Sequence, residues 1–209
     1  MSKPITKSEI LYFQRVCAVC GYYAGSLDGK WTTDMDEAER RVEQQRIELA
    51  NQIGQFDPRS EKNIATLMPP AQKVARKFMR AAAGFRNTVK IISGSRTYAE
   101  QDALYAIGRT IQTNKSPVTK AKGGQSNHNF GLAWDVAIFE AGGRYMDGSK
   151  KGDEKAYADL AGLVKPVVAN LEWGGDWASF VDPPHYQLAT GGKTTTQVRT
   201  LFESGQPMF

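Results

Sequence analysis

The sequence predicts an α+β fold in which helices flank a small antiparallel sheet, with a small helical domain ahead of it. Three observations carry this. Residues 131–139 alternate with period two: Leu132, Trp134, Val136 and Ile138 on one face, Ala133, Asp135 and Ala137 on the other. That is the signature of a strand with one core face. Two shorter strand-like runs, Val89 to Ile92 and His185 to Leu188, lie well apart, among segments of helical spacing. The first fifty residues contain only helical segments and a turn-rich loop.

Residues 8–23 read as a helix. Gly21 to Trp31 is a loop centred on Asp28-Gly29, a strong turn dipeptide. Thr32 or Thr33 caps a second helix that runs to about Gln52, with Asp34, Asp36 and Glu37 suited to its first turn. Gly54, Asp57 and Pro58 mark a linker over 54–59. A helix over 60–83 is interrupted at Pro69-Pro70, and the strand at 89–92 leads into Ser93-Gly94-Ser95-Arg96. Thr97 to Arg109 is helical again, and the polar stretch 112–127 is a long loop. After the strand at 131–139, Tyr157, Leu160, Leu163, Val164, Val167, Val168 and Leu171 follow i, i+3, i+4 spacing. An amphipathic helix is expected there, kinked at Pro166. Glu172 to Trp177 reads as a turn, and His185 to Leu188 as the last strand, with His185 and Gln187 sharing a face. The division is 1–53, linker 54–59, and main domain 60–209.

Of 209 residues, 41% are hydrophobic and 23% charged, the balance of a soluble globular chain. No apolar run approaches the roughly 18 residues of a membrane span, so no stable membrane insertion is expected. Glu9, Gln14 and Arg15 interrupt the only apolar stretch near the start, so no signal peptide is expected and synthesis in the cytoplasm is. The net charge of +5 is uneven: residues 1–70 sum to −1 and residues 71–209 to +6. The second part therefore suits an anionic partner, either a carboxylate-rich wall polymer or none beyond solvent. No nucleic-acid motif or dense basic cluster is present, so nucleic acid is not expected. Cys17 and Cys20 form C-x-x-C without two further nearby ligands. On a helix they share a face and read as small core residues.

The chemistry-bearing residues surround the chain's two histidines. His128 lies in Ser126-x-His128-x-x-Gly131-x-Ala133-x-Asp135, and His185 in Asp182-Pro183-Pro184-His185-Tyr186. His128 at a loop end, Asp135 on the adjoining strand and His185 on another make two imidazoles and one carboxylate. That set suits zinc with a fourth position open to water. Asp182, three residues before His185, is the first choice for the base that moves the proton; Glu172 and Asp176 are its rivals. Arg96 would grip a substrate carboxylate or stabilise an oxyanion, or else form a surface ion pair. Ser126 and Gln101 are weaker candidates for substrate contact.

Together with Trp173-Gly174-Gly175-Asp176-Trp177 and Ser93-Gly94-Ser95-Arg96-Thr97, these motifs resemble the zinc D-Ala-D-Ala carboxypeptidase family over about residues 58–190. The likeness is greatest to its branch of phage L-alanyl-D-glutamate endopeptidases, which are endolysins. The resemblance implies a zinc peptidase fold, one zinc on His128, Asp135 and His185, Asp182 as base and Arg96 as substrate-binding residue. Wider relatives carry Glu at the base position, and Asp182 is similar to the endolysin branch. Separately, helix, Gly21-Tyr22-Tyr23-x-Gly25-x-x-Asp28-Gly29, helix resembles the repeat of small peptidoglycan-binding domains; the alternative is a hairpin that only packs on the main domain. The expectation is a monomeric enzyme acting on bacterial peptidoglycan, reached after a lysis partner permeabilises the membrane. A carboxypeptidase removing terminal D-Ala, or a wall-binding module with a structural zinc, are the other readings.

Overall fold

The computed structural model describes residues 6–209. Helix α1 (Lys7–Val19) starts at Thr6, whose hydroxyl accepts from the Glu9 amide while the Glu9 carboxylate accepts from the Thr6 amide. Helix α2 (Thr33–Ile53) follows the loop, and Thr32 takes the N-cap place without a side-chain bond. Buried Gln14 holds that loop: its Oε1 accepts from the Gly29 amide at 2.8 Å and its Nε2 donates to the Lys30 carbonyl at 2.9 Å. Pro58 and Pro69 open two separate helices, α3 (Pro58–Ile64) and α4 (Pro69–Ala82). First-turn prolines fit there because those N–H groups have no helical partner.

Strand β1 (Thr88–Ser93) and helix α5 (Tyr98–Ala106) come next, then a 3₁₀ turn (Asn127–Phe130) and β2 (Ala133–Phe139). The chain closes with α6 (Asp153–Val164), β3 (Leu171–Trp173), a second 3₁₀ turn (Gly174–Asp176), β4 (His185–Leu188) and α7 (Thr195–Glu203). The sheet is antiparallel in the order β1-β2-β4-β3. A bulge falls between Ile91 and Ser93, so Ile91 pairs with Val136 and Ser93 with Asp135. Such an extra residue re-aims the side chains beside it.

One sheet face carries the core. Trp134 and Tyr186 are fully buried against Phe78 of α4, their rings 6.1 and 4.6 Å from it. Val16 and Val19 of α1 belong to this same core, and Tyr12 meets Phe202 of α7 with ring centroids 5.6 Å apart. A smaller core of Cys17, Tyr23, Met35 and Ala38 sits between α1 and α2. Cys17 is fully buried, and burial raises both cysteine thiols to about 12. The stretch expected as a linker is anchored. Buried Arg76 donates to the Gly54 carbonyl and, through two nitrogens, to Glu61, each at 2.8 Å, and Glu61 also accepts from the Phe56 amide.

Three expectations need correction. Helix α6 begins at Asp153 and stops at Val164, ahead of Pro166, rather than continuing through a kink. Proline removes a helical donor and disfavours helix for the residue before it; Val167, beyond the helix end, is exposed. Leu171 to Trp173 is an edge strand, where Leu171 was expected to end the helix and Glu172 and Trp173 to open a turn, because it pairs with β4. Helix α7 was not expected. Its signal is Thr194 with Gln197, a capping box made in both directions.

Candidate metal centre

Asp135 lies mid-way along β2 and pairs directly with His185 across the β2–β4 ladder. Residues opposed in this way project from the same face. That face is opposite the one holding Trp134 and Tyr186. His128 arrives from the 3₁₀ turn, where the Ser126 hydroxyl accepts from the His128 amide. Gly131 ends this turn at φ 70°, in the left-handed region glycine favours. Its carbonyl accepts from the Met68 amide at 3.0 Å, which ties the turn to the start of α4.

Three donor atoms converge. His128 Nε2 lies 3.2 Å from His185 Nδ1 and 3.2 Å from Asp135 Oδ1, and His185 Nδ1 lies 3.4 Å from Asp135 Oδ1. A tetrahedral zinc with bonds of about 2.0–2.1 Å separates its ligand atoms by about 3.3–3.4 Å. The triangle has that size. The outer nitrogens fix the tautomers. His128 Nδ1 lies 2.7 Å from the Gly94 carbonyl, and His185 Nε2 lies 3.0 Å from Gln187 Oε1. Both partners only accept, so both outer nitrogens donate. Two imidazole lone pairs and a carboxylate thus face one point, an arrangement that calls for a cation. Among the described residues, His128, Asp135 and His185 form the one such group that could hold a metal ion.

Burial opposes ionisation of Asp135, yet His128 and His185 outweigh it and hold its carboxyl well below the usual range. Burial lowers His128. Burial also opposes protonation of His185, but its hydrogen bond with Asp135 wins and raises it. Burial raises the Asp182 carboxyl. The Asp182 carbonyl accepts from the His185 amide at 3.1 Å, so Asp-Pro-Pro-His closes as a tight turn. Gly174 packs beneath it. A Cβ there would lie 2.5 Å from the Asp182 carbonyl oxygen and 3.0 Å from His185 Cβ.

Arg96 reaches the same point from the end of β1. Its guanidinium donates to Asp135 Oδ2, lies 3.1 Å from His128 Nε2, and is steadied by Ser93 Oγ and by Gln101 Oε1 at 3.1 Å. Gln101 is fully buried, and its Nε2 donates to Ala121 and Thr119. It therefore stands behind Arg96. These groups open on a cleft of about 830 Å³, lined also by Ser126, Glu172, Asp182 and Trp177. The Trp177 ring lies 4.8 Å from that of His185. Asp176 pairs with Lys165. Ser93, Asn127 and Gln187 escaped notice as site residues. Ser93 carried a signal as the first residue of the Ser93-Gly94-Ser95-Arg96 motif, and Gln187 through its period-two spacing from His185.

A family model described as D-alanyl-D-alanine carboxypeptidase matches residues 119–188, the span holding His128, Asp135, Asp182 and His185. The chain is 37% identical over 127 residues to the peptidoglycan L-alanyl-D-glutamate endopeptidase CwlK of Bacillus subtilis (strain 168), covering 58% of this chain and 73% of that protein. Among solved structures, the L-Ala D-Glu endopeptidase ChiX of Serratia marcescens aligns at a TM-score of 0.47 and 27% identity. That alignment covers 68% of this chain and 96% of that one. The chain is a metallopeptidase. It belongs to the zinc D-Ala-D-Ala carboxypeptidase-like family.

Proposed function

We propose that this protein is a zinc-dependent endopeptidase that cuts the L-alanyl-D-glutamate bond of peptidoglycan stem peptides. The observation that carries the chemistry is the His128–Asp135–His185 triangle, sized for zinc with both imidazole lone pairs turned inward. The choice of bond is supported by the likeness to CwlK. One zinc, which His128, Asp135 and His185 would hold, would supply Lewis-acid polarisation of the scissile carbonyl and of a water. Asp182 takes the proton of the attacking water on its carboxylate and returns it to the leaving amine. Arg96, at the edge of the triangle, binds a substrate carboxylate or the developing oxyanion. Ser126 holds the His128 turn and lines the cleft beside the substrate. Residues 60–209 carry the peptidase, and residues 1–53, joined through 54–59, are assigned to holding the wall polymer. A lytic role in a phage, as a monomer and with a membrane-permeabilising partner, is the setting implied by the motif resemblance.

The test is a digest of purified peptidoglycan with and without chelator, followed by mass spectrometry. New L-Ala carboxyl ends that vanish with chelator are expected. Loss of a single D-Ala would establish the carboxypeptidase reading, which the description of the matching family model favours. No release of any product would defeat both.

A further inference from the structure

We infer that Gln187 is a positioning residue: held by Asn127 and Glu172, it fixes His185 in the tautomer that turns Nδ1 toward the metal. The inference rests on the metal site of the reading above. Gln187 is almost fully buried on β4, opposite Ala133 of β2 and Glu172 of β3 in the ladder. Its Oε1 accepts from Asn127 Nδ2 at 2.9 Å and from His185 Nε2 at 3.0 Å, while its own Nε2 donates to Glu172 Oε2 at 2.6 Å.

An amide carries one acceptor atom and one donor atom, and here they have different neighbours. Turned over, the amide would set its N–H groups against Asn127 Nδ2 and its oxygen against the Glu172 carboxylate. Only the observed orientation matches a donor to an acceptor at all three of the Gln187 contacts, and in it His185 must carry its proton on Nε2. A His185 free to exchange tautomers would spend part of its time with an N–H aimed at His128 and Asp135, closing the site to a cation. Outer-sphere partners of metal-bound imidazoles act in this way.

The network also explains the residue at position 187. A carboxylate at position 187 would face Glu172 at hydrogen-bond distance, so an amide is needed while Glu172 is present. Asn127 is the neighbour of His128, and Glu172 comes from the edge strand. Gln187 thereby couples the segments that carry both imidazoles.

The test compares the native protein with Gln187→Leu and with the exchanged pair Glu172→Gln/Gln187→Glu. Zinc dissociation constants are measured by competition with a chromogenic chelator, and visible spectra are recorded on cobalt-substituted samples. Gln187→Leu is expected to weaken zinc binding about 10- to 100-fold and to shift the cobalt spectrum. The exchanged pair keeps every donor matched to an acceptor and should restore native binding. Native affinity with an unchanged cobalt spectrum in Gln187→Leu overturns the inference, as does an exchanged pair no better than Gln187→Leu. If circular dichroism shows that Gln187→Leu does not fold, Gln187→Glu alone takes its place. Weakened binding relieved by adding Glu172→Gln is then expected, and no relief overturns the inference. The readout is affinity, so a native protein that binds zinc but cuts no stem peptide defeats the proposed function and leaves this inference standing.

Discussion

Asp135 and His185 face each other across the β2–β4 ladder, with Asp135 Oδ1 and His185 Nδ1 3.4 Å apart. Two of the three converging donors are thus set by strand register, and a slip of one residue would send either to the opposite face.

Removing any corner of the triangle should therefore remove the metal. Zinc analysis of purified His128→Ala and Asp135→Asn should show far less zinc than the native protein, and peptide hydrolysis should disappear. Full zinc content in either variant would contradict the ligand set.

Asp182→Ala separates proton transfer from metal binding. Zinc content should stay native while turnover falls by about 10²- to 10⁴-fold, the usual contribution of a positioned acid–base group. A variant that keeps most of its turnover would move the proton-handling role elsewhere, with Glu172 the nearest rival lining the cleft.

Gly174→Ala tests the packing beneath the Asp182–His185 turn. The added methyl meets a backbone carbonyl oxygen at 2.5 Å, which has little freedom to retreat. Misplacing catalytic groups by about 1 Å can cost on the order of 100-fold, so turnover should drop at least about tenfold. Gly162→Ala on α6, where nothing lies within 4 Å, is the control. It should keep full activity and raise stability by about 0.5–1 kcal/mol. Equal activity in the two variants would show that the turn tolerates the methyl.

Stability should vary with pH through Asp153. This buried carboxylate accepts from Arg144 through two nitrogens and from the Gly148 and Lys150 amides. The Arg144 bonds lead in holding its pKa down to about 2. A depressed acid contributes stability above its unfolded value of about 3.9 and loses it as pH falls toward the folded value. The melting temperature of Asp153→Asn should lie below native near pH 7, and the gap should close between about pH 4 and 2. A gap that stays constant would show that Asp153 acts through shape alone.

Much of this was legible because the signals are local. The alternation from Leu132 to Ile138 exposes strand β2 and its faces, and with only two histidines in the chain the ligand candidates were few. Asp135 stood out as the one carboxylate on a face of small residues. What stayed hidden depends on which strands become neighbours. Ser93 faces Asp135 only because of a bulge in β1, and Asn127 and Glu172 meet at Gln187 only in the order β1-β2-β4-β3. Spacing along the chain does not encode that order. The end of α6 was misread for the opposite reason. The apolar spacing runs on through Leu171, but Pro166 interrupts hydrogen bonding that hydrophobicity does not report.

The buried guanidinium of Arg76 bears on how this protein can be re-engineered. It grips the Gly54 carbonyl where a construction by parts would cut, and Val16, Val19 and Tyr12 are seated against the far side of that cut. Exchanging the first 53 residues for a foreign targeting unit would take Tyr12 from beside Phe202 and Val16 and Val19 out of the main core. A chimera that respects the architecture would graft new specificity onto the exposed face of α2 and leave the Arg76 seam intact.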